Sequence, residues 1–185
     1  HPQWQHGYRL AYNIIAVVLL LPIAYLMYRY PGVELWHWES WFKLLADGVA
    51  LIAIGAFFWT LKYYDGQDFL GLRQFKSKDK QSDGEFCLSP AHRFVRHPWY
   101  SLALIIIWTR DINASNLLSY TLITMYFVFG SRLEERKLVV IYGEVYRRYQ
   151  QLVPGLIPRP WRYLSEADAQ KLLHGAATNN QVSPQ

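Results

Sequence analysis

The chain has one cysteine, Cys87, in 185 residues. That excludes an internal disulfide and any cysteine-based metal cluster, and Cys87 reads as a small apolar packing residue. His92 and His97 stand off helical register, without acidic or cysteine partners at ligand spacing, so no metal site is expected. The first apolar run lacks a small-residue cleavage site behind it; Arg29-Tyr30-Pro31 follows instead, which argues against a secretory signal. The chain does not begin with Met, which leaves room for sequence ahead of His1.

What is present is apolar and aromatic. Hydrophobic residues make up 52% and aromatics 17%, with a formal charge of +5, a rich balance for a soluble chain of one-domain size. The apolar residues are blocked. Crossing the hydrocarbon takes roughly 20 of them, and Leu10–Tyr30 and Leu44–Tyr64 are each about that long, with a kink expected at Pro22. Trp4 and Tyr8 suit the interface. So does 33–43, with Trp36, Trp38, Trp41 and Phe42 around Glu34, His37 and Glu39; His37 reads as an interfacial hydrogen-bonding residue. Gly48 and Gly55 would allow close helix contact, and Asp47 would reach headgroups from one end of its span.

The polar stretch 65–96 predicts an exposed loop with a short helix near Asp68–Phe75. Its Lys76–Lys80 run predicts a solvated face near anionic headgroups, not a nucleic-acid site. Trp99–Trp108 is too short to cross alone, and after Thr109–Asn113 the run Asn116–Gly130 is apolar again, so a helical hairpin is expected with Arg110 and Asp111 at its turn. The basic residues of the middle loop and those from Arg132 to Arg162 set the orientation. Four spans would put both termini in the cytoplasm, in a bacterial inner membrane. Residues 1–163 are expected to form one domain. After Pro158 the sequence is expected to leave the fold, with a short helix from Ser165-Glu166-Ala167-Asp168 to about Leu173 and disorder beyond Gly175. The fold class is therefore all-α: a membrane helical bundle with a cytoplasmic C-terminal helix forming the pocket.

Two clusters bracket the hairpin, Arg96-His97-Pro98-Trp99-Tyr100 before it, and Leu133-Glu134-Glu135-Arg136 with Tyr142–Tyr149 after it. His97-Pro98 places an imidazole at a helix start, where free amides can hold an anion. On a helix continuous from Ser131 to Gln151, Glu135, Tyr142, Tyr146 and Tyr149 would share one face, a phase that Gly143 would shift by breaking the helix. Glu135 needs a partner to be desolvated, and Arg96 or a cationic ligand would serve; a surface pair with Arg136 or Arg132 is the plain alternative.

The order Arg-His-Pro-x-Tyr, hairpin, Glu-Glu, Gly-Glu-x-Tyr-x-x-Tyr and a closing Pro resembles the membrane methyltransferases that include isoprenylcysteine carboxyl methyltransferase and the phospholipid N-methyltransferases, across about Ser89–Pro158. Gly71-Leu72-Arg73-Gln74 resembles a segment of the bacterial methanethiol S-methyltransferase branch. The resemblance implies S-adenosylmethionine as donor, held by Arg96, His97, Pro98, Tyr100, Glu134 and Glu135 with Tyr146 and Tyr149 lining the pocket, and Glu135 on the donor's amino group. It implies Glu135, Tyr146 and Arg148 as the residues nearest the chemistry. The small residue often found two places after the motif tyrosine is Leu102 here, and the glycine expected ahead of the corner is Ala91. The partners implied are the lipid bilayer and a small lipophilic or lipid-borne acceptor, a carboxylate, thiol or amine, with no metal and no nucleic acid. For a charged acceptor, a dry pocket and positioning worth about 7–11 kcal/mol would supply the rate. An amine would also need a base, from among Glu134, Tyr146 and His97, and Arg132 or Arg148 would hold an anionic acceptor. Two competing readings are a nicotinamide-dependent membrane reductase of the sterol-reductase type and a non-enzymatic accessory protein of the same fold, the latter favoured by Leu102 and opposed by Glu135.

Overall fold

A computed structural model describes residues 8–63, 88–159 and 161–181. The apolar runs become helices. These are α1 (Tyr8–Arg29), α2 (Ser40–Thr60, prolonged by a 3-10 turn over Leu61–Tyr63), α3 (Pro98–Trp108), α4 (Ala114–Leu152) and α5 (Glu166–Gln181), with a further 3-10 turn at Pro90–Arg93. Three of the helix starts have a chemical cause. Pro98 opens α3 at the position where its missing N–H costs nothing. Asn113 accepts the Asn116 amide at 2.8 Å to cap α4, and Ser165 accepts the Asp168 amide at 3.1 Å to cap α5.

Among the described residues one helix, Ser40–Tyr63 at 24 residues, is long and apolar enough to cross a membrane; Val18–Arg29 and Pro98–Trp108 are apolar but shorter. Four crossings are not shown. Helix α3 ends after 11 residues, roughly 16 Å of rise. On α2, Leu44, Leu51 and Ile52 are 68–74% exposed, a surface that suits lipid better than water. Its buried stripe is Ala46, Ala50 and Ala53. This corrects the expectation for Gly48 and Gly55, since a Cβ at either would meet nothing within 4 Å; the close-packing small residues are the alanines.

The described residues fall into two compact units, one from 1–81 and 109–119, the other from 82–108 and 120–185. In the first, two short strands that the aromatic composition of 33–43 did not disclose, β1 (Glu34–Trp36) and β2 (Ile112–Asn113), pair antiparallel with a bulge. Arg110 donates to Asp47 at 2.8 Å and to the Ala46 carbonyl at 3.2 Å. Asp111 accepts from the Trp38 amide at 3.0 Å and from Lys43 at 3.4 Å, and these contacts, the Trp38 amide foremost, hold its carboxyl below the usual range. His37 lies 3.1–3.2 Å from Glu39 and Glu34, so the hydrogen bonding expected of it is supplied by these two carboxylates.

The second unit has its core where the sequence was expected to leave the fold. Leu164, Ala169 and Leu172 are buried with Tyr146, Tyr149 and Val153, and each large apolar side chain so buried contributes about 1.5–3 kcal/mol. Leu164 is further tied to Arg93, which donates from Nε to its carbonyl at 3.0 Å and accepts its amide at 2.8 Å. Helix α5 continues past Gly175 to Gln181, which corrects the disorder expected over that stretch; Ala176 and Ala177 are strong helix formers. The expected helix near Asp68–Phe75, the Lys76–Lys80 run, Gly71–Gln74, Trp4 and Cys87 lie outside the described residues.

Candidate active site

The geometry centres on Glu135. Helix α4 carries it, and both of its oxygens are taken. Arg96 donates in fork fashion, Nε to Oε1 at 2.8 Å and Nη2 to Oε2 at 3.0 Å. His97 Nε2 donates to Oε1 at 3.0 Å, and Gln150 Nε2 to Oε2 at 2.9 Å. Four donors saturate a carboxylate. Burial pushes the Glu135 pKa up, but the His97 and Arg96 hydrogen bonds, the Arg96 charge and Gln150 outweigh it and hold the group at about 2. Its partner is therefore Arg96, with both side chains 13% exposed, and not Arg132 or Arg136.

Arg96 also fastens the chain that follows α4. Its Nη1 donates to the carbonyls of Gln150 (2.9 Å) and Val153, while the Arg96 and His97 amides donate to Pro154 and Gly155 at 2.9 and 3.2 Å. Those two amides, expected to face an anion, are thus spent on the 154–155 turn. Ser101 Oγ lies between the His97 carbonyl, at 3.0 Å, and that of Leu156. The turn passes close, so that a Cβ at Gly155 would make ordinary van der Waals contact, 3.4 Å from Arg96 Nη2 and 3.9 Å from Glu135 Oε1. Gln150, Ser101 and Gly155 were not singled out in the sequence; the Pro154-Gly155 pair is the one signal that marks this turn.

On the other side of the imidazole, His97 Nδ1 is 3.5 Å from Glu134 Oε2, and Glu134 is 51% exposed. His97 stacks on Tyr100 at 5.5 Å, and Tyr100 on Phe127 at 4.5 Å, with planes within 6–8°. With Nε2–H committed to Glu135, two acceptors face each other across those 3.5 Å unless Nδ1 carries a proton or a cation lies against both.

The remaining expected residues are placed differently. Helix α4 is interrupted at Gly143, at φ 56° and ψ −130°, a conformation open to glycine, so the shared face of Glu135 with Tyr142, Tyr146 and Tyr149 is not continuous. Tyr146 and Tyr149 are each 2% exposed within the core, with Tyr149 donating to the His92 carbonyl at 2.6 Å. Burial, with the Glu135 charge behind it, pushes the Tyr146 hydroxyl well above its ordinary range. Arg148 is exposed on the segment after Gly143. His92 accepts or donates at Nδ1 with Ser89 Oγ at 2.7 Å, and burial, then the nearby His97, lower its pKa to about 4. Ala91 sits in the 3-10 turn and Leu102 within α3.

Comparison with known proteins places similar sequences in one group. The chain is 27% identical over 151 residues to a methanethiol S-methyltransferase of Crocosphaera subtropica, covering 76% of this chain and 57% of that one. It is 30% identical over 151 residues to one from a Pseudomonas species (79% and 58%), and 28% identical over 171 residues to one from Mycobacterium tuberculosis (84% and 65%). No family model matches the chain, and no solved structure does. The chain is thus similar to methanethiol S-methyltransferases over most of its own length, while spanning little more than half of the first two of these relatives.

Proposed function

We propose that the chain is an S-adenosylmethionine-dependent membrane methyltransferase whose acceptor is a small lipophilic thiol. The observation that carries this reading is the assembly of Arg96, His97 and Glu135 from two stretches 38–39 positions apart, built from the motif residues on which the family resemblance rests. The methanethiol S-methyltransferase relatives support both the donor and the thiol class of acceptor. Four crossings, with both motif clusters on the cytoplasmic side of a bacterial inner membrane, belong to the same proposal.

The residues fit such a donor with the roles redistributed. Glu135 is saturated by Arg96, His97 and Gln150, so it positions the corner; the half-exposed Glu134, paired across 3.5 Å with His97 Nδ1, is the carboxylate with room for an ammonium group. The Tyr100–Phe127 stack offers a flat aromatic wall. When bound, the donor supplies a sulfonium methyl open to in-line displacement. The chain's task is then to align a thiolate and keep water out, and a dry site favours the charge-cancelling transfer. Tyr146 keeps its proton at neutral pH and is no base; the acceptor is taken up as the thiolate, its proton lost to solvent, so the transfer needs no side-chain base.

The test is headspace detection of dimethyl sulfide from full-length chain in maltoside supplied with S-adenosylmethionine and methanethiol. Product that depends on both, and that Glu134→Gln cuts by about tenfold or more as the donor's ammonium group loses its carboxylate, supports the reading. Absence of product while S-adenosylhomocysteine still binds would overturn the thiol acceptor and leave the donor standing.

A further inference from the structure

Beside the Arg96–Glu135 pair lies a second arginine cluster that the roles proposed above leave without a task. A cavity of about 470 Å³ is walled by Arg132, Arg159 and Arg162, with the Arg96–Glu135 pair at its inner side and Val128 and Ile157 along it. A neighbouring cavity of about 780 Å³ shares Arg132 and adds Arg136 and Arg147. Among the described residues Glu135 is the one carboxylate lining either, and Arg96 already neutralises it. Arg132 and Arg159 have no carboxylate within ion-pair distance among the described residues, and Arg162 donates to the Gln151 carbonyl. The described lining of the cavity is therefore positive, a setting that suits an anion.

The chemistry of that anion follows from the surroundings. Guanidinium groups grip phosphate oxygens in pairs. Ile157 is 74% exposed, and Arg132 comes two places after Gly130, where the apolar run ends, so the cavity falls at headgroup depth with an apolar rim. We propose that it seats the phosphate of an anionic phospholipid, held by Arg132 and Arg159 with its acyl chains against Val128 and Ile157, as a bound lipid and not as the methyl acceptor. The proposal rests on the membrane reading and is independent of the methyl donor, which is assigned to the Glu134–His97–Tyr100 side of the corner.

Calorimetric titration of the full chain in maltoside with dihexanoyl phosphatidylglycerol, dihexanoyl phosphatidylcholine or inorganic phosphate tests it. Expected are one saturable site for phosphatidylglycerol, at least about tenfold weaker binding of the other two, and a loss of about tenfold or more in R132Q/R159Q. K137Q, off the cavity, leaves the affinity unchanged, and saturating S-adenosylhomocysteine does not displace the lipid. Equal binding of both lipids, matching affinity for free phosphate, displacement by S-adenosylhomocysteine, or unchanged affinity in R132Q/R159Q would each overturn the proposal. The first three are read on the wild-type chain, so a variant that fails to fold leaves the proposal falsifiable.

Discussion

Each unit holds one prominent arginine–carboxylate pair, and the two are built for different ends. Arg110–Asp47 meets at 2.8 Å with side chains 38% and 42% exposed, in a single charged contact supplemented by one carbonyl. Arg96–Glu135 meets at the same distance but is buried, forked, and joined by His97 and Gln150. An exposed pair fastens a turn and is screened by solvent. A buried, saturated pair fixes the positions of everything bonded to it, and a cost falls due when either member is removed. The motif residues gather around the second kind, which is why the site is assigned there.

The comparison is broken most directly at its stronger half. Arg96→Met removes the fork and both carbonyl contacts, leaves Glu135 buried, and is expected to cost about 3–5 kcal/mol in thermal or denaturant unfolding in maltoside; a loss below about 1 kcal/mol would place the pair with ordinary surface contacts.

Acid acts on the same unit. Glu135 titrates at about 2 in the folded chain against an ordinary 4.5, and His92 at about 4 against 6.5. Both folded values are depressed, so their contributions are complete above the ordinary values and lost as pH falls, from about 6.5 for His92 and from about 4.5 for Glu135, down through the folded values. Melting temperature measured from pH 7 to 3 should therefore fall in two stages, and Glu135→Gln should flatten the lower one. A flat profile in the wild type would contradict the saturated pair.

Gly155→Ala sharpens the picture at smaller scale. The new Cβ would meet Arg96 Nη2 at 3.4 Å, an ordinary van der Waals contact, so a loss of no more than about 1 kcal/mol is expected. Unfolding measurements that find several kcal/mol lost would mean the turn cannot take even a methyl group. At the low end, Asp47→Asn should cost less than about 1 kcal/mol, and a loss as large as that of Arg96→Met would erase the distinction between the two units.

The helices were legible because apolar runs and the Pro98 and Ser165 starts are local signals, whereas the Asn113 cap of α4 was not read from the sequence. The pairing of Glu135 with Arg96 was legible as one of several partners, since a carboxylate near a membrane needs a cation, but choosing Arg96 over Arg132 or Arg136 requires knowing where the chain returns. Gln150 and Ser101 carry no motif, and their roles come from the 154–155 turn passing the corner. The β1–β2 pair was hidden because strands of three and two residues leave no alternating pattern. Gly143 showed its effect in advance: its φ of 56° breaks α4 and sends Tyr146 and Tyr149 into the core with Leu164 and Leu172. That core includes a segment whose polar surroundings had suggested a tail.

The account's central claim is that the Arg96–His97–Glu135 corner serves a methyl donor. Calorimetric titration of the full chain in maltoside with S-adenosylhomocysteine, run beside NADPH, tests it most directly. Saturable binding of S-adenosylhomocysteine alone, weakened by Glu134→Gln in a chain that still melts normally, is the predicted result; binding of NADPH alone, or of neither, would contradict it.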